Sequence, residues 1–199
     1  MGLLQSWLRH CLAPLFNLCS LAASYIPCSS SRMETDNIRS ELEALELVFN
    51  DASSEPMKLS YGLLRSITNN FSSEIGCGGF GVVYMGHLGN GKVAVKKFSN
   101  PHALPDKQFL GEITCLKKTK HKNIVRFIGY CSETYEELLV FDGENVMAEV
   151  QKKLLCFEYV PNGDVRHYLH QGNPHGDDWS VRYQMIRGIC HGLHYLHDN

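Results

Sequence analysis

Three glycines spaced as G-x-G-x-x-G, namely Gly76, Gly78 and Gly81, sit in the run Ile75-Gly76-Cys77-Gly78-Gly79-Phe80-Gly81. Glycines at this spacing let backbone N–H groups close on phosphate oxygens with no Cβ in the way, so the chemistry on offer is phosphate binding. A dinucleotide fold uses the same spacing, but it needs a helix straight after the glycines and an acid about 20 residues on. Here the strand-favouring Val82-Val83-Tyr84 follows, and no Asp or Glu occurs between Glu74 and Asp106. That excludes a dinucleotide site. The neighbouring Gly86-His87-Leu88-Gly89-Asn90-Gly91-Lys92 satisfies most of a P-loop pattern, yet Val93 stands where a Mg²⁺-holding Ser or Thr is required. It reads as a hairpin turn, with Asn90-Gly91 as the closing pair.

The next residues with chemistry are Lys96 and Glu112. On a strand, Ala94, Lys96 and Phe98 share one face while Val93, Val95 and Lys97 share the other. Ala94 is small enough to let a flat ring lie close, and Lys96 is one step beyond it. On the helix that follows, Phe109, Ile113 and Leu116 form an apolar stripe, and Glu112 falls inside that stripe. A carboxylate entering a buried face needs a partner, because an unpaired buried charge costs several kcal/mol. Lys96 is the natural one.

These residues need a sheet and a helix to hold them. From Glu34 to Glu55 the chain is acidic, with Leu42, Leu45 and Phe49 at helical spacing, and Tyr61 to Thr68 is a second short helical pattern closed by Asn69-Asn70. Strands are expected at Val82–Tyr84, Val93–Val95 and Leu154–Val160, with helices over Phe109–Lys118 and Tyr183–His197. The last helix carries Ile186, Ile189, Leu193 and Leu196 on one side, the side a complete fold would bury, and the stripe is expected to stand open in these residues. Between Ser132 and Lys153, Asp142-Gly143 marks the turn of an extended hairpin. Strands first and helices later indicate an α+β fold.

Composition narrows the function. The 199 residues are 44% hydrophobic and 20% charged, with a net charge of -2, which argues against a general nucleic-acid binder. The eight cysteines contain no CxxC pair, so a zinc ribbon or a thioredoxin-like site is excluded. The five from Cys77 to Cys190 lie among apolar neighbours, as free thiols in a reducing compartment do. His191, His194 and His197 recur every third residue but read as an ordinary helix face, and His167, His170 and His175 lack acidic or thiol partners at ligand spacing. No metal site is expected.

The first 33 residues contain no Asp or Glu and only Arg9 and Arg32. The apolar stretch Cys11 to Ile26 is interrupted by Pro14 and Asn17 and is shorter than the roughly 20 residues a membrane span needs. A secretory signal is one reading, although Leu21 to Ser24 makes a poor cleavage site. Met1-Gly2-Leu3-Leu4-Gln5-Ser6 fits a myristoylation pattern, with Cys11, Cys19 and Cys28 available for palmitate. A start at Met33, with everything before it an upstream artefact, is the third.

The ordered set of motifs resembles the N-terminal part of a protein kinase domain. Gly76, Gly78, Gly81 and Val83 match the loop that covers the phosphates, with Phe80 as its tip aromatic. Val93-Ala94-Val95-Lys96 matches the lysine strand and Glu112 the ion-pair acid of the family's αC helix. Thr68-Asn69-Asn70-Phe71-Ser72, His121-Lys122-Asn123-Ile124-Val125, Gly129-Tyr130-Cys131, Phe157-Glu158-Tyr159-Val160-Pro161-Asn162-Gly163 and Gly192-Leu193-His194-Tyr195-Leu196-His197 are similar to plant receptor-like Ser/Thr kinases. The resemblance implies a kinase-like fold, an antiparallel N-lobe sheet with αC and the first helices of an incomplete C-lobe. It divides the chain into a leader (1–32), an acidic helical linker (33–70) and a partial kinase domain (71–199), with the N-lobe at 71–160.

It also implies ATP as ligand, held by Ile75, Gly76, Cys77, Gly78, Gly79, Phe80, Gly81, Val83, Ala94 and Lys96, with Phe157 as gatekeeper and Glu158, Tyr159 and Val160 as the adenine-binding hinge. Lys96 and Glu112 are the implied catalytic pair. No H-R-D and no D-F-G occur before Asn199, so the implied catalytic Asp and Mg²⁺ ligands are absent, and these residues are expected to be inactive alone. Two functions follow: the ATP-binding portion of a kinase acting on a protein substrate or within a receptor complex, or a non-catalytic decoy or scaffold. The implied location is cytoplasmic, anchored to the inner face of the plasma membrane if the leader is acylated.

Overall fold

The computed structural model describes residues 29–101, 104–141, 143–165, 168 and 179–198. A long helix α1 (Ser29–Asn50) precedes a two-residue strand β1 (Met57–Lys58) and a short helix α2 (Tyr61–Ile67). Strands β2 (Glu74–Gly78), β3 (Gly81–Leu88) and β4 (Gly91–Phe98) lead to α3 (Asp106–Lys118), then to β5 (Phe127–Phe141), β6 (Glu144–Glu158) and α4 (Trp179–Asp198). The strands form one sheet in the order β1-β5-β6-β4-β3-β2. Its long neighbours are antiparallel, as expected, but β1 adds a parallel edge, Met57 opposite Gly129 and Lys58 opposite Tyr130.

The period of two in β4 and β6 sorts side chains onto two cores. Val93, Val95, Leu154 and Cys156 point one way and meet Leu45 of α1 and Leu63, Leu64 and Ile67 of α2. Phe98 and Leu155 point the other way and meet Phe109 and Ile113 of α3, with Phe127 beside them. The acidic segment around residues 33–70 is thus part of the packed lobe. Its Leu45, Leu59, Leu63 and Leu64 are fully buried.

Local chemistry fixes these helices. Ser60 caps α2 by accepting the Leu63 N–H at 3.1 Å, and Glu41 of α1 accepts both the N–H and the hydroxyl of Ser60. No basic residue stands in the last turn of α1. Its open carbonyls are met by the Arg126 guanidinium, which donates to Val48 O, Phe49 O and Asp51 O at 3.2, 2.6 and 3.1 Å.

Two sequence expectations shift. The β3–β4 turn is Gly89-Asn90, because Leu88 pairs with Gly91, which is already strand. Glu46 accepts the Gly89 N–H and Asn50 accepts from Asn90 Nδ2, so α1 holds that turn. The last helix starts earlier, at Trp179, and its stripe of Ile186, Ile189, Leu193 and Leu196 stands open, 48–54% exposed. Described contacts of α4 centre on Tyr195, which stacks on His121 at 5.0 Å and bonds Lys118 O and the Lys120 N–H.

Candidate nucleotide-binding site

The glycine run is a hairpin. β2 and β3 pair Cys77 with Val82 and Gly78 with Gly81, so Gly79-Phe80 is the tip. Gly81 is obligatory by close approach: a Cβ there would lie 2.2 Å from Lys97 O. At Gly76, Gly78 and Gly79 a Cβ would meet nothing within 4 Å, so this backbone is open to solvent. Phe80 is almost fully exposed at the tip.

Beside the hairpin lies a cleft of about 530 Å³ lined by Ile75, Ala94, Val125, Phe157, Glu158, Tyr159 and Val160. Sequence reasoning reached all of these but Val125, which it met only inside a quoted motif, where the signal was an apolar residue directly ahead of a strand. Val83 pairs with Lys96 across β3 and β4, so it stands on the same sheet face as Lys96 and Ala94. The end of β6 is fixed by reciprocal bonds. Arg126 N–H donates to Glu158 Oε1 at 2.8 Å, and Glu158 N–H donates to Arg126 O at 3.0 Å. A second cavity of about 400 Å³, lined by Ala52, Lys117, Lys120, Arg126 and Glu158 among others, lies away from the glycines and from Lys96.

Lys96 is half-buried on the same sheet face, opposite Leu155 of β6. The expected ion pair with Glu112 is not formed: among the described residues no salt bridge within 4.0 Å joins them. The Lys96 ammonium lies instead 4.9 Å from the Phe98 ring centroid and 5.8 Å from that of Phe80. Glu112 is half-buried on α3, between the buried Phe109 and Ile113.

Lys153 is a residue that sequence reasoning missed. It is 3% exposed and pairs with Asp106 at the start of α3. Alternation from Leu155 and Phe157 places it on the α3 side, and that was the available signal. On the opposite face burial lowers the Lys97 ammonium pKa, and the neighbouring Lys152 charge adds to the shift. Burial pushes the Cys156 thiol up to about 12 and Cys131 higher still, so both act as small apolar groups.

Among the described residues no cluster of three His, Cys, Asp or Glu is placed to hold a metal, and His194 pairs with Asp198 at 3.2 Å. His167, His170 and His175, like Gly2, Cys11, Cys19 and Cys28, lie outside the described residues. No described helix is long and apolar enough to cross a membrane.

A sheet lobe with a glycine hairpin beside an apolar cleft, a lysine on the cleft face and α3 packed against that same face is the N-lobe arrangement of protein kinases. The family model for protein tyrosine and serine/threonine kinases matches residues 69–199. Among curated relatives, the L-type lectin-domain containing receptor kinase IX.2 of Arabidopsis thaliana is 38% identical over 147 residues, 72% of this chain and 19% of its own length. The cysteine-rich receptor-like protein kinase 29 of the same plant is 37% identical over 151 residues, 74% of this chain and 20% of its own. Among solved structures, a co-crystal of the pseudokinase DRIK1 with ENMD-2076 matches with TM-score 0.59 and 25% identity, covering 74% of this chain and 53% of that one. An apo pseudokinase matches with TM-score 0.57 and 26% identity, over 73% and 49%. The chain belongs to the protein kinase family, among the plant receptor-like kinases. It spans about a fifth of the length of these curated relatives and about half of the solved kinase folds.

Proposed function

We propose that this chain carries the ATP-binding portion of a receptor-like Ser/Thr protein kinase, which in the whole enzyme passes the γ-phosphate of ATP to protein hydroxyls. The observation that carries this reading is the convergence of glycine hairpin, apolar cleft and Lys96 on one side of one sheet. The residues fit a nucleotide. Ile75, Ala94, Val125 and Phe157 offer apolar walls to a flat ring, and the cleft volume falls within the ~300–1,000 Å³ of ordinary small-ligand sites. The open backbone at Gly76, Gly78 and Gly79 would cap the phosphates, Lys96 would neutralise them, and Glu112 would orient Lys96. Bound ATP supplies the transferable phosphoryl group. The sequence holds neither H-R-D nor D-F-G, and none of its residues is assigned to Mg²⁺.

In this reading the protein partners are a hydroxyl-bearing substrate and a receptor complex at a cytoplasmic membrane face, with Gly2 and Cys11, Cys19 or Cys28 as acylation points. Titration of the purified chain with a fluorescent ATP analogue, displaced by ATP, tests the nucleotide site. Saturable binding is expected, weakened roughly tenfold by Lys96→Met, the scale of one charge-assisted contact. No binding in the parent, or unchanged binding in the variant, overturns the reading.

A second reading, a non-catalytic binding module, draws on the separation of Lys96 from Glu112 and on the two pseudokinase neighbours. Nucleotide binding without Lys96–Glu112 pairing, followed by paramagnetic or fluorescence distance probes on α3 and β4, would favour it. Pairing on nucleotide addition favours the first.

A further inference from the structure

Lys153 is the one charged side chain that is fully buried among the described residues. An ammonium there is tolerable only with its three donors engaged. They are: Nζ donates to Pro101 O at 3.1 Å and to Leu104 O at 2.5 Å, and it pairs with Asp106 Oδ1 at 2.8 Å. All three acceptors lie on the approach to α3 or in its first turn. Pro105, the N-cap of that helix, makes no side-chain capping bond, and Lys153 fastens the segment leading into the helix from β6 by donating to its carbonyls.

Glu112 stands six residues further along the same helix, about 9 Å up its axis. Lys153 shares the sheet face of Leu155, and Leu155 is directly opposite Lys96. The fastened end of α3 and the lysine that Glu112 must meet are therefore tied to one sheet face, two residues apart along β6. We infer that Lys153 is a positioning residue: it pins the N-terminal end of α3 as a pivot and so sets where Glu112 stands relative to Lys96. The inference rests on the nucleotide site proposed above.

The test uses the full chain and a fluorescent ATP analogue. Lys153→Met should weaken binding about tenfold, the effect of reducing the competent population to a tenth, and Lys153→Arg should restore most of it. In a Glu112→Gln background Lys153→Met should add little, because the pivot acts through Glu112. A loss that persists undiminished in that background, or no loss at all, overturns the inference.

Asp106→Asn, at a mostly exposed carboxylate, serves as the gentler variant should Lys153→Met fail to fold, with weakening in the same direction expected. Amide hydrogen exchange reads the pivot without nucleotide. Gln108 to Glu112 should exchange faster in either variant while Val93 to Lys97 stay as protected as in the parent. Unchanged exchange over Gln108 to Glu112 overturns the pivot even if the parent binds no nucleotide.

Discussion

The Arg126 backbone holds Glu158 twice, donating to its side chain and accepting its N–H, while the Arg126 guanidinium closes the C-terminal end of α1. One residue therefore ties α1 to the strand end beside the cleft. Its side chain can be removed without touching the backbone bonds to Glu158, so the loss should be felt at α1.

Arg126→Met keeps an apolar stem but removes the guanidinium, leaving Val48, Phe49 and Asp51 carbonyls without their donor. The expected destabilisation is about 1–3 kcal/mol, the range for hydrogen bonds to charged groups. Urea denaturation of parent and variant measures it. A difference under about 0.5 kcal/mol, typical of inert surface changes, would show that α1 docks without Arg126.

The glycine hairpin separates two kinds of glycine. Gly81→Ala forces a Cβ to within 2.2 Å of a backbone oxygen, so the hairpin must shift, at about 1–3 kcal/mol for an overpacked site. Nucleotide-analogue binding should fall with it. Gly79→Ala meets nothing within 4 Å and should leave stability within about 0.5 kcal/mol of the parent. Equal behaviour of the two variants contradicts this account of the loop.

What could be read from residue order was what is local. The glycine spacing, the strand alternation around Lys96 and the apolar stripe through Phe109 and Ile113 each lie within a dozen residues, and each stands where it was expected. Arg126 and Lys153 were opaque because their partners lie far off in sequence, 49 and 52 residues for two of the Lys153 bonds and 77 and 78 for two of the Arg126 bonds, and a lone Arg or a Lys-Lys pair carries no sign of what it will meet. The Lys96–Glu112 pairing was inferred from a carboxylate inside an apolar stripe and from the order of the motifs. Whether two side chains touch depends on where α3 is seated on the sheet, and no spacing encodes that. The β3–β4 turn moved by one residue because pairing of Leu88 with Gly91, reinforced by Glu46 and Asn50 from α1, decides register over local turn preference.

Cys156 sets a pH dependence. Its thiol is raised from the ordinary 9.0 to about 12 by burial, so the folded state holds a proton that the unfolded state releases. A raised folded pKa gives stability that is fully present below about pH 9 and is lost as pH climbs toward 12. Other groups titrate in that window, so the comparison is with Cys156→Ala. The stability gap between parent and variant should narrow steadily from pH 8.5 to pH 11 (roughly one proton's slope). A gap independent of pH would mean that this thiol ionises alike in both states.

The face of α4 makes the last prediction. Ile186, Ile189, Leu193 and Leu196 lie on it about half exposed, with Trp179 and Tyr183 exposed on the same helix. Fully burying each such aliphatic side chain is worth about 1.5–3 kcal/mol, and here much of that is unrealised, so α4 owes little of its position to these side chains. The chain by itself should bind the dye ANS and self-associate with rising concentration, as exposed apolar patches do. Ile189→Lys with Leu193→Lys should reduce both, while the urea midpoint moves by less than about 0.5 kcal/mol in stability. Amides of Tyr183 to Leu196 should exchange within seconds, and those of Val93 to Lys96, in the fully packed β4, should be retained far longer. A double-lysine variant that unfolds the lobe would show that this face is already carrying the stability assigned here to the sheet.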